Sequence, residues 1–268
     1  MSLLHAQILV SAVVGGLFVA LQSSLAERVP AKAAGLILTL PSTTGVSFLF
    51  IGWIIGPAQV ALVTPTVVLG VCASLVFSMT YIWAARARGT NHPQDILFAA
   101  GLSVAVWLAL STPLAVFRVS SLLPALAVFA LLSAGAYRVY ARLLREQKTE
   151  AVRYTARQKA LRAALSGIII GIAVAFSKIL GPFWGGVFSA FPGAILSAFL
   201  ILHWYRGPAF LGSVGRTMPV GFSGLIVFIL AARFAFPALG AAWGTLASYA
   251  VCAVFLTPLF LIAHRRSR

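Results

Sequence analysis

Hydroxyl side chains surround two prolines that each lie inside an apolar segment. Together with the small residues beside them, they form a set of predicted binding residues: Thr39, Pro41, Ser42, Thr43, Ser47, Ser189, Pro192, Gly193 and Ser197. A proline within a helix leaves the carbonyl four residues earlier without its usual donor, here that of Ile37 and that of Phe188. In a membrane, such carbonyls must be buried against protein or face a wet cavity.

Two interpretations of these residues stay open. The first is a midplane site where two broken helices meet, whose freed backbone groups and hydroxyls offer hydrogen bonds to a small polar solute. Thr39, Thr43 and Ser47 favour it, since their spacing of four places them on one helix face. The second is structural, because small residues allow close helix packing and their hydroxyls bond back to their own helix.

Arg216 is a further candidate, since it lies within an apolar stretch, GSVGRTMPVG, whose glycines and proline indicate irregular backbone. A cation inside a membrane is costly and is therefore a functional candidate by default. It is expected either to bind an anionic solute or to extend to the cytoplasmic interface beside Arg206.

No pattern typical of catalysis or metal binding is present in the sequence. Asp95, Glu146 and Glu150 fall in predicted loops, so no carboxylate is expected at the membrane centre to couple transport to protons or sodium. Cys72 and Cys252 lie in apolar segments and are expected to pack as small apolar side chains. We therefore expect neither an enzyme nor a bound cofactor or metal.

The elements that must position these residues are membrane helices. Hydrophobic residues make up 61% of the 268 residues and charged residues 9%, and the mean hydropathy is +1.01. These values indicate an all-α polytopic membrane protein rather than a water-soluble domain. The net charge of +16 resides in short breaks between apolar runs, where anionic lipids explain it better than a nucleic acid does.

Apolar runs predict about nine transmembrane helices, near residues 7–26, 33–55, 58–84, 95–117, 120–143, 162–180, 184–205, 208–235 and 239–263. A basic connector between the fifth and sixth runs, which includes Arg138, Lys148 and Arg162, must be cytoplasmic by the positive-inside rule. Alternation from this connector leaves only Arg118, Lys178 and Arg233 outside. The count therefore predicts a multi-pass protein of the cell inner (plasma) membrane, with its N-terminus outside and its C-terminus cytoplasmic.

The sequence repeats itself at a spacing of 151 residues. Identical residues include the pairs Gly35/Gly186, Pro41/Pro192, Phe48/Phe199, Trp53/Trp204, Gly56/Gly207 and Pro57/Pro208. Four helices per copy and one linking helix predict two inverted repeats, with domains at 1–118, 119–160 (linking helix and connector) and 161–268. The indoles of Trp53 and Trp204 are then expected at opposite membrane interfaces.

The small residue six places before Leu-Pro or Phe-Pro, followed by an aliphatic and aromatic run, resembles the GlpM-like small inner-membrane proteins. The segments AGLILTLP and GGVFSAFP would belong to two such four-helix units fused through the linking helix. The resemblance implies a membrane fold and supplies no catalytic residue.

Inverted four-helix halves with paired prolines predict a secondary transporter, either a permease or an exporter, that moves a small polar or anionic metabolite by alternating access. The alternative is a non-transporting scaffold or lipid-interacting partner protein with a dry, packed midplane. The predicted partners are a small-molecule solute and membrane lipids, with a homodimer left open and no nucleic acid.

Overall fold

Most of the described chain is helical. The computed structural model describes residues 3–26, 37–143 and 155–265, and these residues contain no β-strand. The helices are α1 Leu3–Ala26, α2 Ser42–Ile54, α3 Pro57–Arg88, α4 Pro93–Val116, α5 Leu122–Leu143, α6 Ala156–Ile179, α7 Pro182–Ser189, α8 Gly193–Arg206, α9 Pro208–Gly215 and α10 Met218–Arg265.

Seven helical spans are long and apolar enough to cross a membrane. They are His5–Leu25, Pro57–Arg88, Pro93–Val116, Leu122–Arg142, Ala156–Ile179, Pro182–Arg206 and Met218–Leu259. About 20 apolar residues suffice for one crossing, so the chain is an all-helical, multi-pass membrane protein.

Proline and glycine determine where many of these helices begin and end. Pro57, Pro93, Pro182 and Pro208 occupy the first turns of α3, α4, α7 and α9, where the fixed φ of proline suits a helix and its missing N–H costs nothing. Gly89 ends α3 in the left-handed conformation (φ 74°), which glycine adopts without steric cost.

Several predicted helices are interrupted in the structure. The one predicted near 33–55 is helical at 37–38 and then from Ser42, and residues 27–36 lie outside the described residues. The one predicted near 184–205 is two helices, α7 and α8, separated before Pro192. The last two predicted helices are joined in α10, which contains the non-helical residue Gly240 (φ 77°, ψ 179°).

The core is built around α3. Its membrane-length segment is 78% buried, whereas that of α5 is 17% buried, so α5 lies at the periphery of the bundle. Phe77 of α3 is fully buried in one cluster with Phe48 of α2, Phe199 of α8 and Phe228 of α10. This packing holds α2 and α8, the helices that follow Pro41 and Pro192, against the same central helix.

Helices α1 and α6 pack closely and run antiparallel. A Cβ atom placed on Gly16 would lie 2.8 Å from the Ala163 carbonyl oxygen, and one placed on Gly167 would lie 2.5 Å from that of Ala12. Both distances are too short for a real side chain. The two contacts are reciprocal, because Ala12 and Ala163 are themselves 151 residues apart, as are Gly16 and Gly167.

Candidate functional site

The backbone breaks in the same way at Pro41 and at Pro192. Pro41 has φ −71° and ψ 55°, and Pro192 has φ −80° and ψ 52°. In each case the next amide bonds back over the proline, from Ser42 N to Leu40 O (2.6 Å) and from Gly193 N to Phe191 O (2.8 Å). These are inverse γ-turns, and each sends the chain directly into a new helix, α2 or α8.

Carbonyls at the two breaks find donors within the protein. The Ile37 carbonyl, which the sequence predicts to be freed by Pro41, accepts from Gln22 Nε2 and from Leu40 N. The Phe188 carbonyl accepts from Phe191 N at 3.1 Å. The two acceptors predicted to lack a helical donor are thus satisfied inside the fold.

Hydroxyl groups then connect the breaks to one another and to the core. Thr44 Oγ1 donates to the Ser189 carbonyl oxygen (2.9 Å), and Ser74 Oγ of α3 donates to that of Ala190 (2.6 Å). Tyr249 Oη donates to the Pro41 carbonyl oxygen (2.7 Å). The two breaks therefore meet and are held by hydrogen bonds from α2, α3 and α10.

A small cavity lies between the breaks. Its volume accessible to water is about 20 Å³, and its lining residues are Leu38, Thr39, Leu40, Ser42, Thr43, Thr44, Ser74, Ala190, Phe191, Pro192, Ala194, Ile195, Phe222 and Leu225. A cavity of this size holds about one water molecule. The space is therefore large enough for a single small group.

The cavity lining follows the 151-residue spacing of the sequence. Five pairs of lining residues stand at that spacing, namely Thr39/Ala190, Leu40/Phe191, Thr43/Ala194, Thr44/Ile195 and Ser74/Leu225. In four of them the first residue carries a hydroxyl and the second is apolar. The two sides of the cavity therefore occupy equivalent positions in the two halves but differ in chemistry.

The structure brings some of the predicted site residues to this cavity and leaves others away from it. Thr39, Ser42, Thr43 and Pro192 line it, whereas Pro41 and Ser189 do not, and their carbonyls accept from Tyr249 and Thr44. Thr39 precedes the break and lies outside α2. The interval of four to Thr43 and Ser47 is therefore not a helix face at that end.

The remaining predicted residues lie in the helices or between them and do not line the cavity. Gly193 begins α8, Ser197 Oγ donates to the Ala194 carbonyl at 3.1 Å, and Ser47 is fully buried without a hydrogen-bond partner among the described residues. Arg216 follows α9 at the turn into α10, is half-buried and does not line the cavity.

Thr44, Ser74 and Trp107 are absent from the predicted set. Trp107 is fully buried, donates from Nε1 to Ser74 Oγ (3.1 Å) and packs edge-on against Phe191, with ring centroids 4.8 Å apart. The proximity of Thr44 to Pro41 was a usable signal. Ser74 and Trp107 lie on other helices, and no local pattern connects them to the prolines.

The structure places Arg162 in a helix and not in the predicted connector. The sequence places it among the cytoplasmic basic residues, but α6 begins at Ala156, where Thr155 and Gln158 form a capping box. Arg162 is therefore inside the helix. Its side chain is fully buried, and Nη2 lies 3.5 Å from the Ala194 carbonyl oxygen. The guanidinium thus lies beside the first turn of α8.

The site consists of hydroxyls, backbone groups and apolar side chains. Among the described residues, no group of three or more His, Cys, Asp or Glu side chains is placed to hold a metal ion. No known protein family, curated protein or solved structure matches the chain.

Proposed function

We propose that the chain is a secondary transporter of the inner (plasma) membrane that moves a small polar or anionic metabolite by alternating access. The observation that carries this proposal is the small cavity between two backbone breaks of the same kind, lined in part by equivalent positions of the two sequence repeats. Carriers commonly bind solute at the interface of structural repeats, where discontinuous helices expose backbone groups.

Backbone geometry supports a repeat that extends beyond the prolines. Gly56 and Gly207 both have positive φ (113° and 76°), as do Gly89 and Gly240 (74° and 77°), and each pair is 151 residues apart. The antiparallel pairing of α1 with α6 supports inversion, since these helices begin the two halves. The reciprocal Gly16 and Gly167 contacts are those that a pseudo-two-fold axis between them would produce.

The break at Gly240 supports nine crossings. Helix α10 has 48 residues, or about 72 Å at 1.5 Å per residue, more than twice the hydrocarbon thickness of a bilayer. Division at Gly240 gives two pieces of membrane length. With α2 as a short crossing and α7 with α8 as a single crossing, the chain has nine, with the N-terminus outside.

Transport assays on a cavity variant test the proposal. We expect uptake or counterflow in proteoliposomes for at least one class in a panel of small polar and anionic metabolites. Thr43→Val, which removes a hydroxyl from the cavity lining, should lower that rate about tenfold, the effect of losing one good hydrogen bond to the solute.

Thr245→Val is the matched control. Thr245 is buried, and its hydroxyl bonds to the Ala241 carbonyl of its own helix, outside the cavity. The control should transport at the wild-type rate. No transport of any solute class would count against the proposal, and equal rates for both variants would exclude the cavity as the solute's path.

The small volume of the cavity favours a second candidate, a non-transporting scaffold or lipid-interacting partner protein. A carrier must open this space to each side in turn, whereas a scaffold keeps it closed. Thr43→Cys, with Cys72→Ala and Cys252→Ser in the background, distinguishes the two. Labelling of this cysteine by a small charged thiol reagent supports a carrier, and complete protection of the folded protein supports the scaffold.

A further inference from the structure

Three backbone carbonyls at the two breaks already have side-chain hydrogen-bond partners. The carbonyls of Pro41, Ser189 and Ala190 all accept hydrogen bonds from side chains of neighbouring helices. The backbone amides on the same walls have no such partners. These amides are therefore free to donate hydrogen bonds to a bound group.

These amides belong to the first turns of α2 and α8. The first N–H groups of a helix have no partner within it, and neither helix has a side-chain cap. The amides of Ser42 and Gly193 bond back across the γ-turns, and those of Gly45 and Leu196 begin the helical pattern.

Four amides remain between these, those of Thr43, Thr44, Ala194 and Ile195. They form no hydrogen bond within the part of the chain that the structure describes, and all four residues line the cavity. The N-termini of α2 (a helix of 13 residues) and of α8 (a helix of 14 residues) therefore meet at one cavity. Each N-terminus has a partial positive charge.

Two side chains point to the same conclusion independently. Ser42 is 2% exposed and Thr43 is 9% exposed, both line the cavity, and neither hydroxyl has a hydrogen-bond partner among the described residues. Buried polar groups normally have partners. Free amides beside two hydroxyls that can also donate suit a ligand that accepts hydrogen bonds.

Acidic residues of the described chain do not supply that acceptor. Asp95 is the one acidic residue there, and it is bonded to Thr90 and lies 3.7 Å from Arg88 at the start of α4. The acceptor must also be small, since the cavity holds about one water-sized group. Negative charge is favoured, since helix N-termini bind anions through their amides and dipole.

We propose that this cavity binds the compact head of an anion, either a carboxylate group or a small inorganic anion. The amides of Thr43, Thr44, Ala194 and Ile195 and the hydroxyls of Ser42 and Thr43 donate hydrogen bonds to it. That this anion is the transported solute rests on the proposed function, whereas binding itself does not.

Binding to the full-length protein in nanodiscs, measured by calorimetry and by the shift of Tm, tests the proposal. The probes are formate and acetate for carboxylates, chloride and nitrate for inorganic anions, and formamide and acetamide as neutral analogues, all at constant ionic strength. We expect one anion class to bind and raise Tm, which identifies the source, and both amides to have little effect. Equal effects of formate and formamide, or no response to any anion, would overturn the proposal.

Variants of Thr43 and Ser42 test the site, and one of them introduces a carboxylate where the anion would bind. Thr43→Asp places a negative charge at the start of α2, within the cavity, and should lower anion affinity at least about tenfold because the site is already filled. Thr43→Asn is similar in size and neutral, and should bind the anion more tightly than Thr43→Asp. Ser42→Ala, the mildest change, should weaken binding several-fold, while Ser248→Ala, whose hydroxyl bonds to Gly244 O on its own helix, should not. Wild-type affinity in both Thr43→Asp and Ser42→Ala would contradict the site.

Binding and transport can fail separately. Anion binding without uptake of any solute in proteoliposomes would leave this site in place and remove the transporter. Uptake of a neutral solute without anion binding would leave the transporter in place and remove this site.

Discussion

At the scale of single residues, the Ser74 hydroxyl joins three parts of the fold. It lies on α3, donates to the Ala190 carbonyl at the second break and accepts from the indole of Trp107 on α4. Ser74 is 2% exposed and Trp107 is fully buried, so water cannot easily replace either bond. The position of the second break relative to the central helix thus depends on one small side chain.

Ser74→Ala should therefore destabilise the protein by about 1–3 kcal/mol, because it leaves a buried carbonyl and a buried indole N–H without partners. Ser103→Ala is the matched control: Ser103 is equally buried, and its hydroxyl bonds to the Ala99 carbonyl of its own helix. We expect a change of about 0.5 kcal/mol or less for the control. Unfolding in a series of detergent mixtures measures both, and equal losses would show that Ser74 makes no special link.

Single residues also differ in how far the sequence alone could predict their roles. Pro41 and Pro192 were recognisable because they are prolines at equivalent positions of the repeat; proline alone does not suffice, since Pro65 and Pro113 lie inside continuous helices. Gln22 and Tyr249, which satisfy the carbonyls at the first break, were not, since their role depends on which helices pack beside that break. Arg216 was predicted as a binding residue because of its charge, but it does not line the cavity.

At the scale of helices, the contact of α1 with α6 depends on glycine at two positions. Gly16 and Gly167 each face a carbonyl of the other helix, and the backbone cannot move away from a methyl group as a flexible side chain would. Close approach of this kind is how membrane helices gain packing energy, since lipid supplies no hydrophobic driving force between them.

Gly16→Ala and Gly167→Ala should each destabilise the protein by about 1–3 kcal/mol, through overpacking of this interface. Gly101→Ala serves as the control, because a Cβ atom there meets nothing within 4 Å. It should be neutral or stabilising by up to about 1 kcal/mol, since alanine favours a helix more than glycine. The same unfolding measurement applies. Similar losses in all three variants would indicate a propensity effect and not a contact.

Helix ends were less predictable than helix existence. Apolar runs locate a membrane helix well, but its ends depend on local capping. For α6, the Thr155 and Gln158 box moves the start to Ala156 and so draws Arg162 into the bundle. In the long α10, by contrast, two predicted helices are joined. Pro237 lies within it, and Gly240, without a side chain, turns the chain while helix continues on both sides.

At the scale of the whole molecule, the proposed arrangement is two inverted halves that meet at Pro41 and Pro192. The repeat in sequence, the repeated positive-φ glycines and the paired cavity residues all have the same spacing of 151 residues. Their agreement is the reason to treat the halves as equivalent units. Orientation in the bilayer is the property that a labelling experiment must supply.

Trp53 and Trp204 supply that test. Both are exposed at the surface of the bundle, by 67% and 48%, near the ends of α2 and α8. Single cysteines at these positions, in a variant without Cys72 and Cys252, should react with a membrane-impermeant reagent from opposite sides of the bilayer. Reaction from the same side would show that the halves are parallel and would remove the basis for alternating access.

The unequal chemistry of the cavity walls has a consequence for any bound molecule with two different ends. Hydroxyls come from Thr39, Thr43, Thr44 and Ser74, and the positions 151 residues later are Ala190, Ala194, Ile195 and Leu225. A guest that fits this small space would find side-chain hydrogen bonds on the earlier half of the chain and apolar contacts on the later half, and so would adopt one preferred orientation.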